Sequence, residues 1–473
     1  MTQGRRGLVL GLAACFSVPM ISVAQQAVWI VKPEWVQAHE EFLASDVMAG
    51  RGSATRDEQI TATYVASEFM GYGLKPAPGM SGYLQAADID APKLDGHATL
   101  TVGTISLSEG ADFTLLMSSG AWVTGPLKRV GQSGPTPAQG WAKGAVVLAG
   151  EVPAGKTSFS GLRPALRAGA SMVIAVEDDS TRHFATSLGG KTRTPIGLKG
   201  AAAGAAGAEG ATILSVSRAT MDKLLAQKDG ESAVLAVHPL AEAKQRQTFN
   251  AIGYLEGSDP ASGTILLTAH LDHLGIGAPV KGDSIYNGAN DDAAGTTAVM
   301  ELAHALASGP KLKRNVLFVC YGSEEAGELG STYFGEHPPV PLTSLVANLE
   351  FEMIGTQDPK MPKGVLLLTG WDRSNLGSTL KQHGALLGPD PYPEEHFFER
   401  SDNYALALKG VVAHTAAGWG TPPTYHQPSD DLAHLDVNFM TNAIQSLVEP
   451  LRWFASSDFK PAWNPGGQPK GRE

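Results

Sequence analysis

The stretch Thr264–Ala298, TILLTAHLDHLGIGAPVKGDSIYNGANDDAAGTTA, decides how the rest of the chain is read. Its opening run, Thr264 to Thr268, is β-branched and leucine-rich and reads as a buried strand. The run ends in Ala269-His270-Leu271-Asp272-His273, so polar side chains arrive where a parallel strand usually presents a site. A glycine-punctuated loop follows, and Asn290-Asp291-Asp292 opens a helical run through Met300, Leu302 and Leu306. Imidazole and carboxylate at a strand end, with more carboxylates at the next helix start, form a set that a divalent cation can use.

On either side, strand and helix patterns alternate. Strands are expected at Ala251–Leu255, Asn315–Tyr321, Leu345–Phe351, Val365–Thr369 and Val411–Thr415. Helices fall between them, near Asp292–Ala307, Ser331–Gly335, Ser374–His383 and Ser401–Leu408. A long final helix is capped by Asp436 and carries Val437, Met440, Ile444, Leu447, Val448 and Leu451 on its apolar face. A helical preamble precedes all this, with Ile60, Tyr64, Val65 and Phe69 as its clearest stripe; Arg51, in a Gly-Arg-Gly loop, reads as solvent-exposed. The pattern predicts an α/β fold with a mostly parallel central sheet flanked by helices.

Between about Leu115 and Leu240 the texture changes to short valine-rich strands, at Gly144–Leu148 and Ala170–Val176, and an alanine-glycine run over 200–210. The stretch Phe159–Ala170 reads as a helix ending at glycine, and Asp178, Asp179 and His183 as a solvated loop. A smaller β-rich or α+β domain inserted into the main one accounts for the change. The expected division is 27–112 and 244–457 for the main domain, 113–243 for the insert and 458–473 for a polar, frayed tail.

The chain has 473 residues, and 43% of them are hydrophobic, enough for real cores. Arg5 and Arg6 precede an apolar run from Gly7 to Val23, and Ser22-Val23-Ala24 has the small residues of a cleavage site, so 1–24 reads as a signal peptide. Export to the periplasm or medium follows, without a transmembrane span in the mature chain. Leu12-Ala13-Ala14-Cys15 resembles a lipoprotein box, which makes a lipidated Cys15 the minor alternative. The net charge of -11 argues against nucleic acid as a partner. Cys15 and Cys320 are the only cysteines, so the exported protein folds without an internal disulfide.

Four further clusters fall at or just beyond predicted elements: Asp291-Asp292, Glu324-Glu325, Glu350 with Glu352, and His426 in Tyr425-His426-Gln427-Pro428-Ser429-Asp430. Adjacent acids are common on surfaces, but carboxylates gathered repeatedly on one side of a sheet repel unless a cation holds them. The two histidines favour zinc over calcium or magnesium.

In this order, HLDHLG, GANDDAAG, GSEEAGELGS, EFEMIG and YHQPSDD resemble the co-catalytic zinc aminopeptidase family, which includes secreted bacterial aminopeptidases and glutamate carboxypeptidases. The likeness covers about 27–110 and 245–455, and the region between resembles the protease-associated domain often inserted there. The resemblance implies a zinc exopeptidase-like α/β/α sandwich and two Zn2+ per chain. His270 and Glu352 would then hold one ion, His426 and Glu325 the other, and Asp291 would bridge them. Glu324 would be the general base, Tyr425 a hydrogen-bond donor to the developing oxyanion, and Asp272 and Asp402 orienting residues. Two departures stand out: many relatives have Asp where Glu352 stands, and RSDN at 400–403 puts Asn403 where histidine is frequent.

Among the remaining residues, His273, Asp292 and Glu350 are lesser candidates for the site, and His414 and His434 read as structural or surface histidines. Trp371 and Trp419 are candidates for a pocket wall, and Met353 and Ile354 read as packing. The expected activity is removal of N-terminal residues from peptides with a free amino terminus. The alternatives are a carboxypeptidase or dipeptidase on the same scaffold, with Arg373 or Arg400 meeting a terminal carboxylate, and a non-catalytic peptide-binding or receptor-like protein. The sequence leaves the oligomeric state open.

Overall fold

The computed structural model describes Met1 and residues 29–470, apart from 91–92, 119–121, 131–139, 151, 153–156, 159–161, 163–164, 167, 188–191, 193, 195, 201–211 and 241–245. The expected signal segment beyond Met1, half of the helix expected over 159–170 and nearly all of the alanine-glycine run lie outside the described residues, as does the side chain of His183.

The strand Thr264–His270, buried at all seven positions, runs through the middle of a nine-stranded sheet. Asn315–Tyr321 and Leu345–Glu352 flank it, both parallel, and Ala413–Ala417 continues the parallel set beyond Leu345–Glu352. Strands buried on both faces need apolar residues at successive positions, which explains their uninterrupted hydrophobic runs. Alternation sorts these residues: Ile265, Leu267 and Ala269 face one core with Val316, Phe318 and Leu349, whereas Leu266, Leu317 and Val319 face the other.

Among the described helices, Pro33–Leu43, Arg56–Gly71, Ala294–Ala307, Leu376–Gln382 and Val437–Ser456 pack on the first face. The shorter Leu329–Glu336 and Asn403–Leu408 pack on the second. The sheet is mixed: besides the central block, only the edge strand Leu387–Pro389 pairs parallel, with Leu366–Leu368, among the described strands. Arg246–Leu255 and Leu84–Asp90 extend it antiparallel on one side, and Leu366–Leu368 pairs antiparallel with Ala413–Ala417 on the other. Because the central strands are parallel, their C-terminal ends share one edge: His270 pairs with Tyr321, and Thr268 with Glu350.

A second, eight-stranded sheet is built from residues 99–236 around its own cores. It begins earlier than the expected boundary at 113, because the hairpin Thr99–Val102 and Ile105–Ser108 pairs with the distant strand Ser232–Ala236. That partnership is invisible in local pattern. The loop expected after His273 is a hairpin too, Gly275–Val280 with Asp283–Tyr286. Met172–Val176, Asn315–Tyr321 and the last helix, where the Asp436 carboxylate accepts from Phe439 N–H, follow the sequence pattern closely.

Two expectations fail. Arg51 is fully buried, not exposed. Its guanidinium donates to the carbonyls of Leu43, Leu271, Asn287 and Gly288, tying the preamble to both ends of the loop between His270 and Asp291. The tail is also held: Trp463 Nε1 donates to the Gly410 carbonyl and Asn464 Nδ2 to that of Asp372. Cys320 is a free, buried thiol. No helix among the described residues is long and apolar enough to cross a membrane.

Replacing Arg51 with methionine strands four buried carbonyls, so Arg51→Met is expected to cost about 3 kcal/mol or more in urea denaturation. An unchanged midpoint would show that these bonds do not hold the fold.

Candidate metal centre

His270 is the last residue of the central strand and Glu352 the last of its neighbour, so parallel pairing delivers both to one edge. Asp291 arrives from the turn that opens the helix Ala294–Ala307, Glu324 and Glu325 from the loop after Asn315–Tyr321, and His426 from the loop after Ala413–Ala417. His270 Nε2 lies 3.2 Å from Asp291 Oδ1, and His426 Nε2 lies 3.2 Å from Asp291 Oδ2. His426 Nε2 is also 3.3 Å from Glu325 Oε2. Two groups have ligand atoms mutually within 4.8 Å: His270, Asp291 and Glu352, and His273, Asp291 and Glu325. Asp291 belongs to both.

A frame of hydrogen bonds sets this turn. Asp292 turns away from Asp291 and accepts from the backbone N–H groups of Gly295 and Met353 at 2.9 Å each, and from His270 N–H at 3.3 Å. It thereby joins both strand ends to the helix start. A side chain on Gly295 would collide with the Asp292 carboxylate, its Cβ falling 2.3 Å from Oδ2. Asp430 accepts from the N–H groups of Asn290 and Asp291 at 2.9 and 3.0 Å. Sequence reasoning assigned it no role, although it stands four residues beyond His426 in the same motif.

Asp272 was expected to orient His270. The nearer group is its main-chain carbonyl, 3.2 Å from His270 Nδ1, with the carboxylate at 3.7 Å. A carbonyl only accepts, so Nδ1 keeps the proton and Nε2 turns its lone pair toward Asp291. The Asp272 carboxylate instead accepts from Glu324 N–H at 2.9 Å and from the Ser53 hydroxyl at 2.6 Å, fixing the start of the Glu324-Glu325 loop.

The donor set fits metal ions. His270 Nε2, His273 Nδ1, Asp291 Oδ2 and Glu325 Oε1 are all buried without a hydrogen-bond partner among the described residues. Such atoms are costly unless something charged satisfies them. His273 Nδ1 and Glu325 Oε1 approach to 2.9 Å without making a hydrogen bond, as two ligand atoms aimed at a common point would.

The electrostatics agree. Burial pushes the Glu324 carboxyl well up, His270 opposes, and Glu325, Asp402 and Glu352 push it further. Burial likewise raises Asp402 to about 7 and Asp430 to about 6. Burial and Asp291 would raise Glu325, but His426 and His273 outweigh them and hold it at about 2. Burial would lower His426, yet Glu325 and Asp291 lift it to about 10.

The other candidates divide. Glu350 accepts from the Ser401 hydroxyl at 3.0 Å, and Asn403, at the position where histidine was the frequent residue, bridges Phe398 O and the Thr415 hydroxyl. His414 is buried between Thr369 O and the Ser374 hydroxyl, and His434 pairs with Asp431 at the surface. A small cavity of about 30 Å³ opens beside Glu352 and Tyr425, lined by Leu367, Phe397 and Arg400. Met353, expected only to pack, also lines it; Trp371 packs against the main core instead, and Trp419 is not among the lining residues. The Tyr425 ring stacks on His426 at 3.9 Å.

A family model described as Peptidase family M28 matches residues 250–449, the segment that carries every residue of this centre. That match makes the segment similar to members of that family. Aminopeptidase YwaD of Bacillus subtilis is 25% identical over 178 residues, 36% of this chain and 36% of that protein. The chain thus matches only about a third of that relative's length. The aminopeptidase from Aneurinibacillus sp. strain AM-1 superposes with a TM-score of 0.54 at 19% identity, covering 92% of this chain and 96% of that one. The zinc aminopeptidase BSAP from Bacillus subtilis gives 0.54 and 19%, covering 93% and 98%. At that identity the two structures are alike in fold.

Asp402, Asp430 and His426 all have folded-state pKa values above their unfolded ones. Their contribution is therefore complete below the unfolded values and is lost as pH rises through the folded ones. The metal-free protein should lose thermal stability from about pH 4 to 7 as the two carboxyls ionise, and further as His426 deprotonates. Added zinc should raise the melting temperature most at the upper end of that range. A metal-free protein equally stable at pH 5 and 8 would contradict this balance.

Proposed function

We propose that this chain is a zinc-dependent aminopeptidase. One observation carries the reading: Asp291 stands between two ligand groups, with Glu324 beside them on the same loop as Glu325. His270, Asp291 and Glu352 would hold one Zn2+, and Asp291, Glu325 and His426 the other, with His426 Nε2 3.2 and 3.3 Å from those carboxylates and His273, the histidine grouped with them, at 2.9 Å from Glu325 as a further candidate ligand. When bound, the pair supplies Lewis-acid polarisation of the scissile carbonyl and acidifies a water.

Glu324 takes that water's proton and returns it to the leaving amine. The adjacent acids divide the work, Glu325 as ligand and Glu324 as base. The Tyr425 hydroxyl, protonated at all working pH because burial and the neighbouring carboxylates raise its pKa, donates to the developing oxyanion. Glu352 and the surrounding acids attract the substrate's α-ammonium, which confines cleavage to the amino end. Asp402 acts behind them as an orienting residue.

The second sheet is assigned as the protease-associated insert and residues 1–24 as an export signal. A carboxypeptidase is the second reading, because Arg400 borders the cavity beside Glu352 and could meet a terminal carboxylate.

The deciding experiment compares free, amino-acetylated and carboxyl-amidated short peptides with the metal-replete protein. Cleavage abolished by acetylation supports the aminopeptidase; abolition by amidation alone supports the carboxypeptidase. Glu324→Gln is expected to retain both metals while kcat falls roughly 10²–10⁴-fold. Full activity in that variant, with metal content checked by elemental analysis, would remove Glu324 as the base.

A further inference from the structure

A cavity of about 310 Å³ lies at the seam between the two sheets. Met117 contributes from the second sheet, Thr194 and Ile196 from the segment leading into Gly197–Leu198 at the margin of the main sheet, and His273 and Glu325 from the candidate metal centre; Arg246 also lines it. The volume is near the lower end of ligand sites, which run from roughly 300 to 1,000 Å³. We propose that this cavity receives the leaving part of the peptide, and that Arg246 pairs there with a carboxylate.

The inference rests on the aminopeptidase reading and follows from the order of groups across the centre. The small cavity borders Glu352, a member of one ligand group; the seam cavity borders His273 and Glu325, members of the other. A peptide with its α-ammonium at Glu352 and its scissile carbonyl by Asp291 continues past Glu325, and the seam cavity is the space it enters. Among the described lining residues, Arg246 is the charged side chain left for a ligand there, since Glu325 faces His273 and His426.

Arg246 opens the strand Arg246–Leu255, is exposed, and forms no ion pair with any described residue. A guanidinium so placed, in a chain of net charge -11, offers a fork for a carboxylate. Met117 and Ile196 supply apolar surface beside it, and through Met117 the second sheet forms part of the substrate site. The carboxylate is either the free C-terminus of a dipeptide or an acidic side chain directly after the scissile bond.

Two substrate pairs separate these sources: Leu-Gly against Leu-Gly-amide, and Leu-Asp-amide against Leu-Asn-amide. In the metal-replete wild type, kcat/KM should favour the carboxylate member by roughly tenfold in at least one pair. That ratio should fall to about one in Arg246→Ala, drop below one in Arg246→Glu, and survive in part in Arg246→Lys. Equal rates within both pairs in the wild type, or a ratio that Arg246→Ala leaves intact, would overturn the assignment of Arg246. A wild type that cleaves no member of either pair would sink the aminopeptidase reading along with it.

Discussion

Like charges crowded away from water govern this molecule. Asp291, Glu325, Glu352, Glu324, Glu350 and Asp402 gather at one edge of the main sheet, at or close to the ends of parallel strands. In a medium of low dielectric their mutual repulsion is far larger than in water. His270, His273 and His426 offset part of it, and several ligand atoms are left with nothing to satisfy them. Cations held at this edge would resolve both problems at once, as the two candidate ligand groups that share Asp291 allow.

The acids that do not face this point have other work. Asp292, Asp430 and Asp272 each accept two or more hydrogen bonds, mostly from backbone N–H groups, and so hold the turn of Asp291 and the loop of Glu324 in place. Carboxylates that accept from the backbone are satisfied and rigid; those left unsatisfied are available as ligands. The two adjacent pairs, Asp291-Asp292 and Glu324-Glu325, are the same solution applied twice, one member facing the centre as ligand and its neighbour given another task. Beneath them Arg51 ties four carbonyls together, so the preamble is part of the site's foundation rather than a leader to it.

The second sheet has its own cores, yet it is not separate from this edge: Met117, from its strand Phe113–Met117, shares a cavity with Glu325 and His273. Ile196, which lines the same cavity, leads into Gly197–Leu198, a short strand that pairs with Leu84–Asp90 at the margin of the main sheet. The space beside Glu325 is therefore walled by residues from both sheets, and enclosure of this kind is what gives a pocket its preferences.

Much of this could be read along the chain. Continuous apolar runs such as Asn315–Tyr321 announce strands buried on both faces, Asp436 announces the last helix, and the ordered motifs around His270, Asp291, Glu324-Glu325, Glu352 and His426 resemble those of a known metallopeptidase family. These are local patterns or ordered motifs, and each is carried by residues close together in sequence. What depended on tertiary structure was partnership. That Arg51 is buried rather than exposed, that Thr99–Val102 pairs with Ser232–Ala236, that the Asp272 carboxylate beside His270 also holds Glu324 N–H, and that Arg246 and Met117 share a cavity with Glu325 all depend on contacts across long stretches of chain. Periodicity tells a residue which face it occupies; only the closed fold tells it what stands opposite.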